Sequence, residues 1–401
     1  MPGLVPFLFV MVLAQMLLAA SFGAAGVLAP VVAPSLGYTT AALGPYAGVF
    51  GVAALGGGTL IDGVLRRHGG ARTLQISALV SAAGVLLAAS ASPPLVGLSS
   101  IVLGFGGGMT VPAAIHVLAH VTPPERLGIV FAVNQCGVPA GFGLAGVVFP
   151  LLLRVTDWRM SLVLLAAALV LIILLIQPMR AALDAGRDPR ARLGGKAFAE
   201  PLRMAWNEPR LRLLGWLTFS LITVQMAMQA YLVSYLHLGL GFTHLQAGAA
   251  FLVSQIAAVV TRLLLGWLLD RVGRYIFVLG ILGLGSGLSA LWLCAVDPDW
   301  SYAALLAISA VTGGFMSGWN AVYFAAVSRA APPGRAGTAV GGTQIFTSVG
   351  AIVGPLIVSA VLSATGSYAA GFAVVSMFAI AIGLRLLWIE RQTSQAAQAE
   401  T

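Results

Sequence analysis

Twelve windows of about 20 or more mostly apolar residues follow one another along this chain, separated by short polar breaks. They centre on residues 6–29, 41–61, 73–91, 95–119, 128–153, 160–178, 213–236, 247–269, 275–296, 302–328, 338–362 and 368–389. Each is long enough to cross bilayer hydrocarbon as a helix. A strand of a membrane barrel would instead alternate apolar and polar residues over about 10 positions, and the windows do not alternate. The first window lacks a basic leader and a small-residue cleavage site, and it runs on through Pro30 and Pro34, so it reads as a spanning helix and not as a secretory signal. The predicted fold class is an all-α integral membrane protein, its twelve transmembrane helices arranged in two pseudo-symmetric six-helix bundles around a central cavity near the bilayer midplane.

Composition excludes the soluble alternatives. Apolar residues make up 59% of the chain and charged residues only 8%, and the mean hydropathy is +0.98, so water is not the main solvent. A net charge of +9 would point to nucleic acid in a soluble protein. Here its distribution sets orientation, and no nucleic-acid partner is expected. With both ends on the cytoplasmic side, that side receives Arg66, Arg67, Arg72, Arg126, the basic residues from Arg180 to Arg212, Arg271, Arg274, Arg329, Arg335 and Arg391. The opposite side receives Arg154 and Arg159 beside Asp157, Asp297 and Asp299. This asymmetry predicts a multi-pass protein of the cell inner membrane with cytoplasmic termini.

Residues 179–212 form the one long polar segment, rich in Arg, Asp, Pro and Gly. It divides the chain into an N-terminal bundle, 1–178, and a C-terminal bundle, 213–391, and a tail follows at 392–401. The linker's charge is expected along the anionic inner membrane surface. The halves also share a pattern. Pro123, Pro124, Arg126, Gly128, Gln135 and Gly141 recur in register as Pro332, Pro333, Arg335, Gly337, Gln344 and Gly350, and Gly104 recurs as Gly313. Such a repeat points to a duplicated six-helix unit.

Between the eighth and ninth windows the chain reads Gly266-Trp-Leu-Leu-Asp270-Arg271-Val-Gly273-Arg274. This string, with twelve spans and a central linker, resembles the major facilitator superfamily, whose signature loop is roughly G-x-x-x-D-R-x-G-R. The first-half copy keeps Gly58 and Asp62 but has Gly63 where the pattern has arginine, and its basic residues come later. Asp157-Trp158-Arg159 is similar to the family as well. The resemblance covers the whole chain and implies secondary transport by alternating access, with Asp62, Gly266, Asp270, Arg271 and Arg274 as gating residues. On physical grounds Asp62 and Asp270 sit where an apolar helix reaches the interface, and each can accept from a helix N-terminus or an arginine. The plainer alternative is that they are ordinary helix-end charges.

A polar side chain within hydrocarbon is costly and marks a candidate site. Arg262 is the charged residue that falls clearly within a span, because Arg385 lies near the end of the twelfth window and can snorkel outward. It precedes Asp270 by eight residues, or about 12 Å of helix. None of the Asp or Glu residues lies mid-span. A guanidinium fork matches a carboxylate, whereas the structural alternative pairs Arg262 with Asp270 or with helix-end carbonyls. The string Arg262-Leu-Leu-Leu-Gly266 also resembles the arginine-bearing helix of the monocarboxylate and oxalate/formate branches, which implies contact with a substrate carboxylate.

Neutral candidates for lining the path are Gln15, Tyr46, Asn134, Gln135, Gln225, Gln229, Tyr231, Gln255, Asn320, Tyr323 and Gln344, each alternatively a bond between helices. Gln229, Asn320 and Gln344 are expected around Arg262. His116, His120, His237 and His244 all sit near polar breaks, and interface placement is expected of them more than proton coupling. Cys136 and Cys294 fall inside apolar windows and read as core. The Gly104–Gly108 run lacks the Gly-Lys-Ser/Thr of a phosphate loop and reads as close helix packing. No motif for ATP use, metal binding or intramembrane hydrolysis occurs, so no enzyme activity, cofactor or metal is expected.

The function expected is therefore secondary active transport of a small organic, monocarboxylate-like anion, coupled to protons or to anion exchange. A single chain in its bilayer is expected to suffice. Two alternatives stand beside it: an exporter of amphipathic or cationic compounds, and a membrane sensor that transports nothing. The first would place a carboxylate in the path, and the second would carry a sizeable soluble domain.

Overall fold

The computed structural model describes residues 4–123, 126–184, 187–188, 190, 199–272, 274–297, 299–333 and 335–399, with side chains at 4–6, 62, 120, 127–128, 182, 266–272, 321, 393–394 and 396–399 excepted. Among the described residues every regular element is helical. Twelve helical segments among these residues are long and apolar enough to cross a membrane: α1 Phe7–Ser35, α2 Thr40–Ile61, α3 Gly70–Ala89, α4 Pro93–Ala119, α5 Ile129–Leu152, α6 Trp158–Met179, α7 Pro209–Gly239, α8 His244–Leu265, α9 Tyr275–Cys294, α10 Tyr302–Ala330, α11 Ala336–Thr365 and α12 Tyr368–Gln392. The helix of α8 continues to Val272. Large apolar side chains such as Leu171, Leu174 and Trp388 are exposed on these helices. So much exposed hydrocarbon is excluded from a water-soluble surface and fits a lipid solvent.

The chain forms two compact units. The first comprises Met1–Lys196 with Thr243–Leu252, and the second comprises Ala197–Phe242 with Val253–Thr401. In the first, α1 packs on α5, α3 on α4 and α6, and α2 on α4. In the second, α7 packs on α11 and α9 on α12, so the α1–α5 and α3–α6 pairings recur in order.

The residues that repeat in the sequence explain why. A Cβ at Gly141 would run into the Met16 carbonyl of α1, and one at Gly350, its counterpart, into the Phe219 carbonyl of α7. Gly104 is likewise pressed against the Phe50 carbonyl of α2, and its counterpart Gly313 against the Ser254 carbonyl of α8. Without a hydrophobic drive between helices in lipid, such backbone approach is what packs them.

The linker begins with an anchor. The Asp184 carboxylate is buried and accepts from Ala71 N at 2.9 Å and Arg72 N at 3.1 Å, at the first turn of α3. Arg180 Nε approaches the same carboxylate at 3.4 Å. Gly69, at φ +84°, leaves the room that this carboxylate fills. An anion on otherwise unpartnered helix N–H groups is a stabilising placement. Farther along, a short helix, Ala199–Asn207, packs on α11, and its Glu200 pairs with Arg335.

Candidate functional site

In the second unit the polar side chains gather around an interruption in α10. One segment ends at Ser317, Gly318 intervenes, and the next begins at Trp319. A Cβ on Gly318 would stand 2.7 Å from Thr261 Cγ2 of α8, so the two helices meet one residue before Arg262.

Arg262 is half-buried, and its Nε donates to the Ser317 carbonyl at 3.2 Å. Asn320 Nδ2 donates to the same oxygen at 3.4 Å. The carboxyl end of a helical segment carries partial negative charge, which orients a cation placed against it. Nε is one of the five donors of the guanidinium fork.

The next residue on α10, Trp319, donates its indole N–H to Gln225 Oε1 of α7 at 3.1 Å. An indole N–H can only donate, so the Gln225 amide is oriented with its oxygen on Trp319 and its NH2 directed elsewhere. Tyr323 lies one turn on, its ring edge-on to Trp319 at 5.5 Å and its buried hydroxyl without a hydrogen-bond partner among the described residues. The Thr218 and Thr347 hydroxyls are 2.8 Å apart. Thus α7, α8 and α10 contribute Gln225, Arg262, Trp319 and Asn320 to one connected group.

The remaining candidates of this unit lie around that group or away from it. Gln229 and Gln255 are buried, and Oε1 of each has no protein partner among the described residues. Buried amide oxygens without partners call for an explanation. The Gln255 amide nitrogen donates to Ser254 Oγ at 3.3 Å. Tyr231 is buried beside Tyr368, ring centroids 6.3 Å apart. Gln344 is exposed on α11, where its main-chain carbonyl accepts from Ser348.

The first unit holds a neutral set. Gln15 Nε2 of α1 donates to Gln135 Oε1 of α5 at 3.3 Å. The adjacent Asn134 is buried, and its Oδ1 lacks a protein partner among the described residues. Tyr46 stands apart from them, its hydroxyl 3.0 Å from Ser99 Oγ of α4.

Among the gating candidates, Arg274 is exposed and its Nε donates to Glu390 at 2.9 Å, with its guanidinium 4.7 Å from the Phe277 ring. The side chains of Asp62, Asp270 and Arg271 lie outside what the structure describes, as do the surroundings of Gly266. Of the histidines, His237 Nδ1 is 2.7 Å from the Phe242 carbonyl and His244 Nε2 is 2.8 Å from the Val27 carbonyl. Both placements fit helix-end contacts.

Sequence reasoning missed one contributor to the group around Arg262, namely Ser317, and two polar residues that hold helices elsewhere, Gln75 and Asp184. Ser317 acts through a backbone carbonyl, which no side-chain pattern announces. Gln75 of α3 is buried and donates to the Ile173 carbonyl and to Gln177 Oε1 of α6, both at 2.9 Å; its position in an apolar window was the available signal. Asp184 was hidden among the charges of the linker.

A family model described as Major Facilitator Superfamily matches residues 11–320 and 254–400. Monocarboxylate transporter 13 of Rattus norvegicus is 28% identical over 347 residues, covering 82% of this chain and 76% of the relative. The 3-(3-hydroxy-phenyl)propionate transporter of Escherichia coli (strain K12) is 27% identical over 328 residues, covering 78% and 76%. Among solved structures, that of the nucleoside transporter NupG superposes with a TM-score of 0.78 at 16% identity, covering 95% of this chain and 98% of that one.

Proposed function

The chain belongs to the Major Facilitator Superfamily, and from that premise we propose that its solute is a small organic monoanion bound at Arg262. Secondary transport of a small molecule follows from the family and its relatives. The anion reading is carried by one observation: a guanidinium within a span, oriented by the Ser317 carbonyl, in a chain with no mid-span carboxylate. The orientation fixes the plane of the fork, and a planar fork recognises a carboxylate by two parallel hydrogen bonds. Asn320, Gln225 and Gln229 provide the neutral N–H groups nearby that replace the solute's water, with Gln344, Gln255, Tyr231 and Tyr323 completing the lining from this half. In the other half the neutral candidates are Gln15, Asn134, Gln135 and Tyr46. Two relatives named for a monocarboxylate and for a phenylpropionate, itself a carboxylate, support the assignment.

Transport proceeds by alternating access of the halves 1–178 and 213–391, joined by the 179–212 linker. Asp62, Gly266, Asp270, Arg271 and Arg274 control the switch. The basic linker faces the cytoplasm of the inner membrane, as the arginine distribution demands. Coupling is to protons or to exchange for a second anion. The test is a thermal-shift screen of the purified protein against small carboxylates, inorganic oxyanions and cationic dyes. Carboxylates are expected to stabilise the parent and to leave Arg262→Gln unshifted. Stabilisation by cationic dyes alone would sink the reading.

A further inference from the structure

The first unit contains a cavity of about 340 Å³ among α1, α2, α3, α4 and α6. It belongs to none of the polar groups described above except at Tyr46, which lines one wall. It lies at the ends of the spans opposite to Arg66 and Arg67, because Leu36, Ala42, Pro93 and Trp158, its outermost residues, all stand at span ends.

Its walls are apolar by construction. Four hydroxyl-bearing residues line it: Tyr38 stands exposed just beyond the end of α1, and Ser21, Ser100 and Tyr46 have their hydroxyls engaged elsewhere. Ser21 Oγ donates to the Leu18 carbonyl at 2.6 Å, Ser100 Oγ to the Gly97 carbonyl at 2.7 Å, and Tyr46 shares a bond with Ser99. Water needs two to four polar partners to occupy a cavity, and these walls leave it few. Protein interiors otherwise pack to crystal density, so a void of this size calls for an apolar guest.

Length and lining point to the guest. Along α4 the lining runs from Pro93 to Leu103, ten residues or about 15 Å at the helical rise. Along α1 and just past its end it runs from Ser21 to Leu36, about 22 Å, so the slot is long and apolar, as an extended acyl chain is. At the mouth, Trp158 lines the cavity, and the exposed Arg159 guanidinium stands 5.4 Å from the Trp158 ring. The neighbouring Asp157 carboxylate is engaged by Met160 N at 2.8 Å, at the start of α6. A tryptophan and an arginine at a span end suit the headgroup level of a bilayer.

We propose that this cavity is a lipid site, taking one acyl chain of a membrane phospholipid with its phosphate at Arg159. Gly97 offers a clean way to close it, since a Cβ added there meets no atom within 4 Å. Full-length protein is extracted from vesicles of phosphatidylethanolamine and phosphatidylglycerol, washed in detergent and weighed intact by native mass spectrometry. The parent is expected to retain one phospholipid. Gly97→Leu, and Ala88→Leu on another wall, should each cut that occupancy at least tenfold. Gly337→Leu, which also meets open space but lies outside the cavity, should retain it. Arg159→Gln should keep a lipid but lose most of any preference for phosphatidylglycerol over phosphatidylethanolamine. Should one cavity variant fail to fold in a thermal melt, the other carries the reading. Bare parent protein, retention of a free fatty acid in place of phospholipid, or equal retention by the folded cavity variants would overturn the proposal.

Discussion

The two units are copies in packing and opposites in chemistry. Gly141 and Gly350 make the same close approach in each, as do Gly104 and Gly313, yet the polar side chains on those helices have diverged. Taking the strings Gly58–Asp62 and Gly266–Asp270 in register, the counterpart of Arg262 is Ala54. Gln135 bonds to Gln15, while its counterpart Gln344 is exposed. The first unit therefore has a neutral polar set on its spans and an apolar cavity, its buried carboxylate Asp184 being confined to the linker, and the second has a cation on a helix-end carbonyl. Duplication preserved what brings backbones together and left side chains free to specialise, and the proposed site places recognition of charge in one half.

Removing the charge should break this asymmetry with the largest effect. Arg262→Gln leaves the Ser317 carbonyl with one donor fewer and removes the charge proposed to complement the solute. Affinity for the best-stabilising carboxylate should fall by more than about 3 kcal/mol, over a hundredfold. Arg262→Lys keeps the charge but loses the fork, and the expected loss is about 1.5–3 kcal/mol. Calorimetric titration of the purified variants, with melting as the folding control, measures both. If Arg262→Gln binds as tightly as the parent, the arginine only braces α8 against α10.

The linker offers a second comparison. Near its start the Asp184 carboxylate is buried on the N-terminus of α3, whereas near its end Glu200 and Arg335 form an exposed pair. Asp184→Ala strips the charge from two backbone N–H groups and should lower stability by about 2 kcal/mol. Glu200→Gln should change it by less than about 0.5 kcal/mol, as exposed pairs do. Chemical denaturation in one detergent compares them, and equal effects would remove the distinction between anchor and surface pair.

The spans were legible because hydrocarbon leaves the backbone no alternative to a helix, and predicted windows such as 275–296 and 302–328 fall on α9 and α10. Gly104 and Gly141 were legible as repeats, though only the structure shows which carbonyls they meet. The site was half legible. Arg262, Gln225 and Asn320 stood out as polar residues in apolar windows. What joins them did not, because the joint is a main-chain oxygen at Ser317 and a one-residue interruption at Gly318, neither marked by residue type. Asp184 was illegible for a related reason: its partners are N–H groups of Ala71 and Arg72, more than a hundred residues earlier.

A smaller effect tests whether the connected group acts as a unit. Trp319→Phe keeps the ring that packs on Tyr323 but removes the donor that orients Gln225. Losing one neutral hydrogen bond is worth about 1 kcal/mol, so carboxylate affinity should drop about fivefold while Arg262 remains in place. Unchanged affinity would separate Gln225 from the site.

The smallest effect is a pH dependence confined to the first unit. His68 ends the helix of α2 next to Gly69, outside the spans. Burial, and then the charges of Arg67, Arg72, Arg180 and Arg187, hold its imidazole below the ordinary value of 6.5. The unfolded chain therefore takes up the proton more readily than the folded one. Its contribution to stability is complete above 6.5 and is lost as pH falls through that value toward the lowered folded one. Melting temperatures of the parent and His68→Gln, taken from about pH 8 down to about pH 5, should converge on different slopes, the parent losing more on acidification. Because Arg67, Arg72 and Arg187 are exposed and screened by salt, the difference should shrink at high ionic strength to what burial alone sustains. Parallel curves at low salt would mean that His68 takes up its proton as easily in the folded protein as in the open chain.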